Sequence, residues 1–193
     1  MKKILLLLPL LLLFSFTTYK PTIYLVPMGN ISNGDIELSA KELTKFYSFN
    51  VVILNRVDVP NSTKVNGLKK YNANKILEYL NSKYSKYNGK VLALTDVDIC
   101  TNRELNGKLY HNWGIFGLGS MSGKPCVVSV KRLGKNHSDD MVKIVIHEIG
   151  HTLGIPHCET NIKCLMNDAK GKGSQVKNEL LWICNNCRKK IKY

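Results

Sequence analysis

Apolar and polar residues follow two different periodicities along the chain, and each periodicity predicts a type of element. Four short runs rich in aliphatic and β-branched residues have the length of buried strands. These runs are residues 22–26, 50–54, 91–95 and 127–130. Two other segments, residues 38–47 and 71–84, place apolar side chains three or four positions apart, as amphipathic helices do. The order of strands and helices predicts an α/β fold in which helices pack on a mainly parallel sheet.

A glycine-rich segment, residues 112–119, interrupts this pattern between the last two strands. Its sequence is NWGIFGLG, and glycine within a strand is typical of places where another backbone approaches closely. The segment therefore suits an edge strand that can pair with an extended peptide. A glycine-rich loop without such a role is the alternative interpretation.

The N-terminal 19 residues have the features of a secretory leader. Lys2 and Lys3 precede an apolar run of thirteen residues, 4–16, and small residues follow it. The run is shorter than the roughly 20 residues that a transmembrane helix needs. We therefore expect residues 1–19 to be a signal peptide, or an uncleaved anchor because no A-x-A cleavage motif is present. We expect residues 20–193 to form a single domain with an extracytoplasmic location, either secreted, periplasmic or anchored by the N-terminus.

The chain is strongly basic, with 28 Lys and Arg residues against 14 Asp and Glu residues and a net charge of +14. Loss of the leader with its two lysines would leave +12. Such a charge favours anionic surfaces. However, only four of these 28 residues are arginines. Arginine is the residue that suits bidentate contacts with bases and phosphates, so its scarcity argues against specific nucleic-acid binding. We therefore expect a solvated lysine surface, no specific nucleic-acid partner, and membrane contact only through an uncleaved leader.

A histidine pair lies within a further predicted helix, residues 141–153. Residues 138–140 (Ser-Asp-Asp) supply a candidate N-cap and acidic residues for its first turn. His147 and His151 are four residues apart, so they lie on the same face of the helix and can both bind one metal ion. Glu148 lies beside them, and its carboxylate can take a proton from a water molecule on that ion.

Gly154 and His157 extend the pair into a three-histidine pattern, H-E-x-x-H-x-x-G-x-x-H. Glycine tolerates the positive φ that ends a helix and reverses the chain. The reversal returns His157 towards the first two histidines, and three nitrogen ligands with an open fourth position are typical of catalytic zinc. The alternative, two ordinary helix histidines and an unrelated loop histidine, requires a rare coincidence of five fixed residues.

Residues 147–157 resemble the zinc-binding signature of the metzincin peptidases, and the residues that follow resemble the archaemetzincins in particular. Cys158 comes directly after His157, and after a short gap the chain continues with Cys164-Leu165-Met166. After a further gap of seventeen residues it continues with Cys184-Asn185-Asn186-Cys187. The archaemetzincin pattern has the same His-Cys, Cys-x-Met and Cys-x-x-Cys groups in this order, and weaker similarity extends upstream over most of the chain.

The resemblance implies a mixed sheet, mostly parallel with an antiparallel edge strand, helices that include the active-site helix, and a short C-terminal subdomain pinned by zinc. It implies two zinc ions per chain. The catalytic ion would be bound by His147, His151 and His157, with Glu148 as general base and acid. Met166 would pack beneath this site. The structural ion would be bound by Cys158, Cys164, Cys184 and Cys187.

The cysteines leave alternatives open. Five residues separate Cys158 from Cys164, where the family pattern has four, and a flexible loop absorbs one residue at little entropic cost. We therefore expect the four-cysteine site to persist, with two disulfides as the alternative because the expected compartment is oxidising. Cys100 and Cys126 match no family motif. We expect them to be buried packing residues, with a disulfide as the alternative.

Together these features predict a monomeric zinc peptidase that acts on a peptide or protein substrate. One alternative is a non-enzymatic zinc module that binds an anionic partner through its lysines. A second is a latent, peptidase-like protein with an occluded cleft. The first alternative leaves Glu148 without a role, because a metal-binding scaffold needs no adjacent base.

Overall fold

The computed structural model describes residues 20–168 and 173–192. The predicted leader, residues 1–19, lies outside the described residues. Among the helices of the described ranges, none combines the length and the apolar character that crossing a membrane requires.

The described residues form two sheets, with helices between and around them. The strands are β1 (Thr22–Met28), β2 (Asn50–Ile53), β3 (Tyr71–Asn72), β4 (Lys90–Thr95), β5 (Ile99–Leu105), β6 (Lys108–Ile115), β7 (Gly117–Gly119) and β8 (Pro125–Ser129). The helices are α1 (Asn33–Tyr47), α2 (Ala73–Lys83), α3 (Ser138–Thr152), α4 (Gly173–Asn178) and α5 (Asn185–Arg188), with a short 3-10 helix at Asn61–Thr63.

The larger sheet has the strand order β2, β1, β4, β8, β7. Neighbouring strands are parallel from β2 to β8, and β7 pairs antiparallel with β8 at the edge. This arrangement confirms the mostly parallel sheet with an antiparallel edge strand. The glycine-rich segment therefore does supply an edge strand, although β7 takes up just its last three residues.

Helices pack on both faces of this sheet, because successive side chains of each strand point to opposite sides. On one face, Leu25, Leu92 and Val128 belong to the core that includes residues of α1 and α3. On the other face, Val26 and Val127 belong to the core that includes residues of α2. The period-two and period-3.6 patterns in the sequence thus correspond to one layer of sheet between two layers of helix.

The first two predicted helices begin where polar side chains cap them. The first begins at Asn33 rather than at residue 38, because the Ser32 hydroxyl accepts a hydrogen bond from the Asp35 N–H (3.1 Å). The second begins after two residues of strand β3, with Asn72 as its cap. Short side-chain caps of this kind lie outside the apolar repeat, so the repeat alone misplaces the helix starts.

The predicted N-cap of α3 is wrong. Ser138 is already the first helical residue, and His137 occupies the cap position without a side-chain hydrogen bond to the helix. The His137 ring is instead engaged by the Gly134 carbonyl (3.1 Å) and the Asp35 carboxylate (3.0 Å). Asp139 and its neighbour Asp140 do lie in the first turn, where acidic side chains interact favourably with the helix dipole.

The hairpin of β5 and β6 is an element that the sequence analysis missed. It belongs to the smaller sheet, with the strand order β3, β5, β6. Asn106 and Gly107 form its turn with φ values of +52° and +73°. Two positive φ angles in a two-residue hairpin loop are characteristic of a type I′ turn, for which Asn-Gly is a preferred sequence. This dipeptide was therefore the signal that could have predicted the hairpin.

Candidate metal centres and the cavity beside the histidines

Helix α3 carries the first two histidines, and the chain reverses directly after it. The helix ends at Thr152, and Gly154 has a φ of +89°. The Gly154 N–H donates a hydrogen bond to the carbonyl of His151 (2.9 Å), which closes a tight turn. After the turn His157 lies near the helix again. Ligand nitrogens of His147, His151 and His157 all lie within 4.8 Å of one another.

Backbone carbonyls hold two of the three imidazole rings. Nδ1 of His147 lies 2.7 Å from the carbonyl oxygen of Leu165, and Nδ1 of His151 lies 2.8 Å from that of Ile155. A carbonyl only accepts hydrogen bonds, so each Nδ1 carries the proton and each Nε2 keeps its lone pair. Burial, reinforced by the neighbouring histidine, lowers the pKa of His147 to about 3, and burial lowers the pKa of His151 to about 4. Both rings are therefore neutral at physiological pH, the form that binds a metal.

Glu148 is buried between helix α3 and the edge strand β7. Its side chain is 6% exposed, and burial raises the pKa of its carboxyl group to about 8 although the Gly119 N–H donates a hydrogen bond to it. A Cβ on Gly117 would lie 2.6 Å from Cγ of Glu148, and one on Gly119 would lie 2.6 Å from the Glu148 carbonyl oxygen. The glycines of the edge strand thus allow a close approach, and the approaching group in this structure is Glu148 of the same chain.

The four C-terminal cysteines form a second cluster. Sγ atoms of Cys158, Cys164, Cys184 and Cys187 all lie within 4.8 Å of one another. All are free thiols, and the 3.7 Å between Sγ of Cys158 and Sγ of Cys184 is far longer than the roughly 2.05 Å of a disulfide. The additional residue between Cys158 and Cys164 therefore does not keep Cys164 out of the cluster.

The two remaining cysteines lie apart from this cluster in the protein core. Cys100 and Cys126 are both buried and both free. The structure supports the packing role that we expected for them and not a disulfide. Burial raises the pKa of both thiols, most strongly for Cys126.

A short loop of residues 164–166 connects the two clusters. Cys164 belongs to the cysteine cluster, and the Leu165 carbonyl accepts the hydrogen bond from His147. Met166 is fully buried, and its Sδ would lie 2.6 Å from a Cβ added to Gly150 of helix α3. Met166 thus packs against the helix that bears the histidines.

A cavity of about 330 Å³ opens beside the histidines. Strand β7, the β5–β6 hairpin, helix α3 and residues of the C-terminal segment line it. Several charged residues of this lining do not stand out in the sequence, namely Arg103, Lys143, Asp168 and Glu179. Neither their spacing in the sequence nor their residue type identifies them as cavity residues, because the tertiary packing of the hairpin and the C-terminal segment brings them to the cavity.

Comparison with known proteins agrees with this geometry. The pattern that describes peptidase family M54 matches residues 33–193. An archaemetzincin of Natronomonas pharaonis is 32% identical over 182 residues, which covers 86% of this chain and 97% of the relative. An archaemetzincin of Archaeoglobus fulgidus is 28% identical over 178 residues, covering 89% of this chain and 99% of the relative.

Solved structures show the same architecture. The crystal structure of the archaemetzincin from Archaeoglobus fulgidus, complexed with malonate, matches with a TM-score of 0.72 and 28% identity, covering 88% of this chain and 99% of that chain. The archaemetzincin from Methanopyrus kandleri has a TM-score of 0.72 at 24% identity, covers 88% of this chain and 92% of that chain, and supports the fold alone. The family pattern extends over most of the sequence, and the chain therefore belongs to peptidase family M54, as an archaemetzincin and a zinc metallopeptidase.

Proposed function

We propose that the chain hydrolyses peptide bonds at the three-histidine site, with Glu148 as the general base and then the general acid. The observation that carries this proposal is the position of Glu148. Its carboxylate lines the same cavity as His147, His151 and His157 and is shielded from bulk water by strand β7. A histidine cluster that merely bound a metal would not require a buried carboxylate at this point.

The three-histidine cluster fits a catalytic zinc ion by the chemistry of its donors. It offers three neutral imidazole nitrogens, and no carboxylate or thiolate of the described residues joins the cluster. Three nitrogen donors leave a tetrahedral ion one position for water or substrate. The carbonyl partners of His147 and His151 supply the outer hydrogen bonds that orient zinc-binding histidines.

We also propose that the four-cysteine cluster holds a second zinc ion with a structural role. Four thiolates at about 2.3 Å from one tetrahedral ion lie about 3.8 Å apart, close to the observed 3.7 Å between Cys158 and Cys184. Hydrogen bonds from Thr160 and Asn161 outweigh the effect of burial and lower the pKa of Cys158 to about 6. Burial raises the pKa of Cys164 and of Cys187 instead, so the charge of a bound ion would be needed to ionise these two thiols.

The chemistry divides between the ion and Glu148. A zinc ion in the three-histidine site would supply a Lewis acid that polarises the peptide carbonyl and acidifies water. The positive charge of that ion would oppose the effect of burial on the pKa of Glu148 and favour its ionised form. Ionised Glu148 takes one proton from a water molecule in the cavity while the water oxygen forms a bond to the carbonyl carbon. Glu148 then returns the proton to the amide nitrogen as the carbon–nitrogen bond breaks. The products are a carboxylic acid and an amine, and Glu148 ends the cycle ionised. The Gly119 N–H holds the carboxylate in place throughout.

The edge strand β7 is the proposed support for the substrate backbone. It borders the cavity along Gly117, Leu118 and Gly119, next to Glu148. An extended peptide that pairs with a sheet edge is held by main-chain hydrogen bonds and can vary in sequence. The substrate would thereby lie along the cavity with one of its peptide bonds beside Glu148.

The experiment that tests the proposed function is digestion of a mixed peptide library by zinc-loaded protein, with products identified by mass. Glu148→Ala should retain zinc and fold but lose at least about a thousandfold in turnover. Glu78→Ala is the matched control, because it removes an exposed glutamate from helix α2, away from the cavity. Equal cleavage by Glu148→Ala and the parent would contradict the mechanism, and no cleavage by the parent would contradict the proposed activity.

A further inference from the structure

Glu179 is a buried acidic residue in the wall of the cavity, outside the machinery described so far. It follows helix α4 and is 4% exposed. It lines the same cavity as His147 and Glu148. One of its carboxylate oxygens, Oε1, is inaccessible to solvent and has no hydrogen-bond partner among the described residues.

The charged groups around Glu179 are already engaged elsewhere. Nζ of Lys143 donates hydrogen bonds to the carbonyls of Val176 (3.0 Å) and Lys177 (3.3 Å), at the end of α4. Asp168 forms an ion pair with Arg103 (3.0 Å). Within the described ranges, no ion pair joins Lys143 to Glu179.

Burial dominates the electrostatics of this carboxylate. It raises the pKa of Glu179 to about 7, even though a hydrogen bond with Gln175 and the positive charge of Lys143 both act to lower it. A buried carboxylate with an unpaired oxygen is costly to the folded state, and buried polar groups are nearly always satisfied. A cationic partner that enters the cavity and reaches the side of Glu179 that lines it would offset the cost of burying this carboxyl group.

The remaining walls of this part of the cavity define the shape of that partner. Ile144, Phe116 and Val176 add apolar surface to the same cavity. A cavity whose lining combines apolar side chains with a carboxyl group matches a side chain with a hydrocarbon stem and a cationic end. Lysine and arginine have this form, and both carry several hydrogen-bond donors.

We propose that Glu179 is a specificity-determining residue that selects substrates with a lysine or arginine side chain next to the cleaved bond. The inference rests on the proposed function, because the cavity serves substrate side chains only if peptides bind beside Glu148. Glu179 acts through the substrate side chain and takes no part in the proton transfers at Glu148.

The test is a comparison of peptides that differ at one position. The peptides are blocked alanine-based hexapeptides in which lysine or norleucine occupies each position in turn; norleucine keeps the stem of lysine and lacks its amine. Values of kcat and KM are measured for the zinc-loaded parent, Glu179→Gln and Glu78→Gln. Binding of the same peptides to the zinc-loaded Glu148→Ala protein, with and without Glu179→Gln, is measured by calorimetry.

At one position next to the cleaved bond, we expect the parent to prefer lysine over norleucine by at least about tenfold in kcat/KM, mainly through KM. Glu179→Gln should bring this ratio close to one, and the exposed substitution Glu78→Gln should leave it unchanged. If the parent shows no preference for lysine over norleucine, the proposal is wrong. This test uses the parent alone, so it does not depend on whether a variant folds. Retention of the preference by folded Glu179→Gln would overturn it as well.

The binding measurements separate this proposal from the proposed function. If the parent cleaves none of the peptides but the Glu148→Ala protein binds the lysine peptide about tenfold more tightly, the assignment of Glu179 holds and the peptidase activity fails. If peptides are cleaved without any such preference in turnover or binding, the peptidase activity holds and the assignment of Glu179 fails.

Discussion

At the scale of single residues, the site depends on how closely Glu148 approaches the edge strand. A Cβ on Gly119 would meet the Glu148 carbonyl oxygen at 2.6 Å and Cβ of His151 at 2.9 Å. The first of these atoms belongs to the backbone of α3, which cannot rotate away. We therefore expect Gly119→Ala to separate β7 from α3 and to displace Glu148 from its hydrogen bond.

Gly119→Ala should lower kcat/KM by about a hundredfold, because misplacement of a catalytic group by about 1 Å has effects of this size. It should also lower the free energy of unfolding by about 1–3 kcal/mol, the usual effect of overpacking. Peptide-cleavage assays and denaturant unfolding measure the two effects. Gly134→Ala is the control, since a Cβ there meets no atom within 4 Å. If both variants behave like the parent, the close approach has no bearing on activity.

The buried carboxyl group of Glu179 should also make the stability of the protein depend on pH. Burial raises its pKa from the ordinary value of 4.5 to about 7 in the folded protein. The folded state therefore binds the proton more tightly than the unfolded state does. The resulting contribution to the free energy of unfolding is complete below pH 4.5 and is lost as the pH rises through about 7. Glutamine does not titrate, so Glu179→Gln should gain stability relative to the parent between pH 5 and pH 8.

The relative gain should be about 1–2 kcal/mol, a value reduced from the full linkage because solvent screens part of the effect. Thermal or denaturant unfolding at the two pH values measures it. The exposed substitution Glu78→Gln should show no comparable change between pH 5 and pH 8. A stability difference for Glu179→Gln that is constant or falls over this range would contradict the buried-carboxylate assignment.

At the scale of elements, the loop of residues 164–166 joins the two metal clusters. It contributes Cys164 to one cluster and, through the Leu165 carbonyl, orients His147 of the other. The Leu165 N–H donates to the Trp182 carbonyl (2.9 Å), next to the segment that carries Cys184. Loss of the cysteine site should therefore loosen the carbonyl that holds the His147 ring.

Cys184→Ser should reduce bound zinc from two ions to one per chain and weaken zinc binding at the three-histidine site by about tenfold, as loss of an outer hydrogen bond does. Metal analysis and competition with a chelator of known affinity measure these changes. His151→Ala is the reciprocal control, because it should remove the ion from the histidine site and leave the affinity of the cysteine site unchanged. Unaltered affinity at the histidines in Cys184→Ser would show that the loop does not connect the sites.

The elements also show which features the sequence could predict. The strand at residues 91–95 and the spacing of His147 and His151 depend on local patterns, and the structure places both as expected. The start of α3 was misplaced, because the contacts of His137 with Asp35, far away in sequence, compete with an ordinary cap. Glu179 could not be found from the sequence, because its burial results from the packing of the C-terminal segment around the cavity.

At the scale of the whole molecule, the C-terminal segment depends on the rest of the protein for its order. Between Gly154 and residue 192, its described helices are α4 and α5, of six and four residues. Its buried residues Val176 and Ile183 pack into the core that includes α1 and α3. A segment of this length cannot bury enough apolar surface to fold alone. A zinc ion bound by the four cysteines, all of which lie within this segment, would therefore fix the fold of the segment and with it the surface that packs on the core and lines the cavity.

Removal of zinc should consequently release the C-terminal segment before the core unfolds. An ion present at a hundred times its dissociation constant stabilises the folded state by about 2.7 kcal/mol, so chelation should lower the melting temperature by about 5–10 °C. Trypsin should then cut more rapidly at exposed lysines of the segment, such as Lys177 and Lys189, and added zinc should restore the slow rate. In His151→Ala, which retains the cysteine site, the segment should stay resistant until chelator is added. If chelation leaves these cleavage rates unchanged in the parent, packing alone orders the segment, and zinc at the cysteine cluster does not stabilise it.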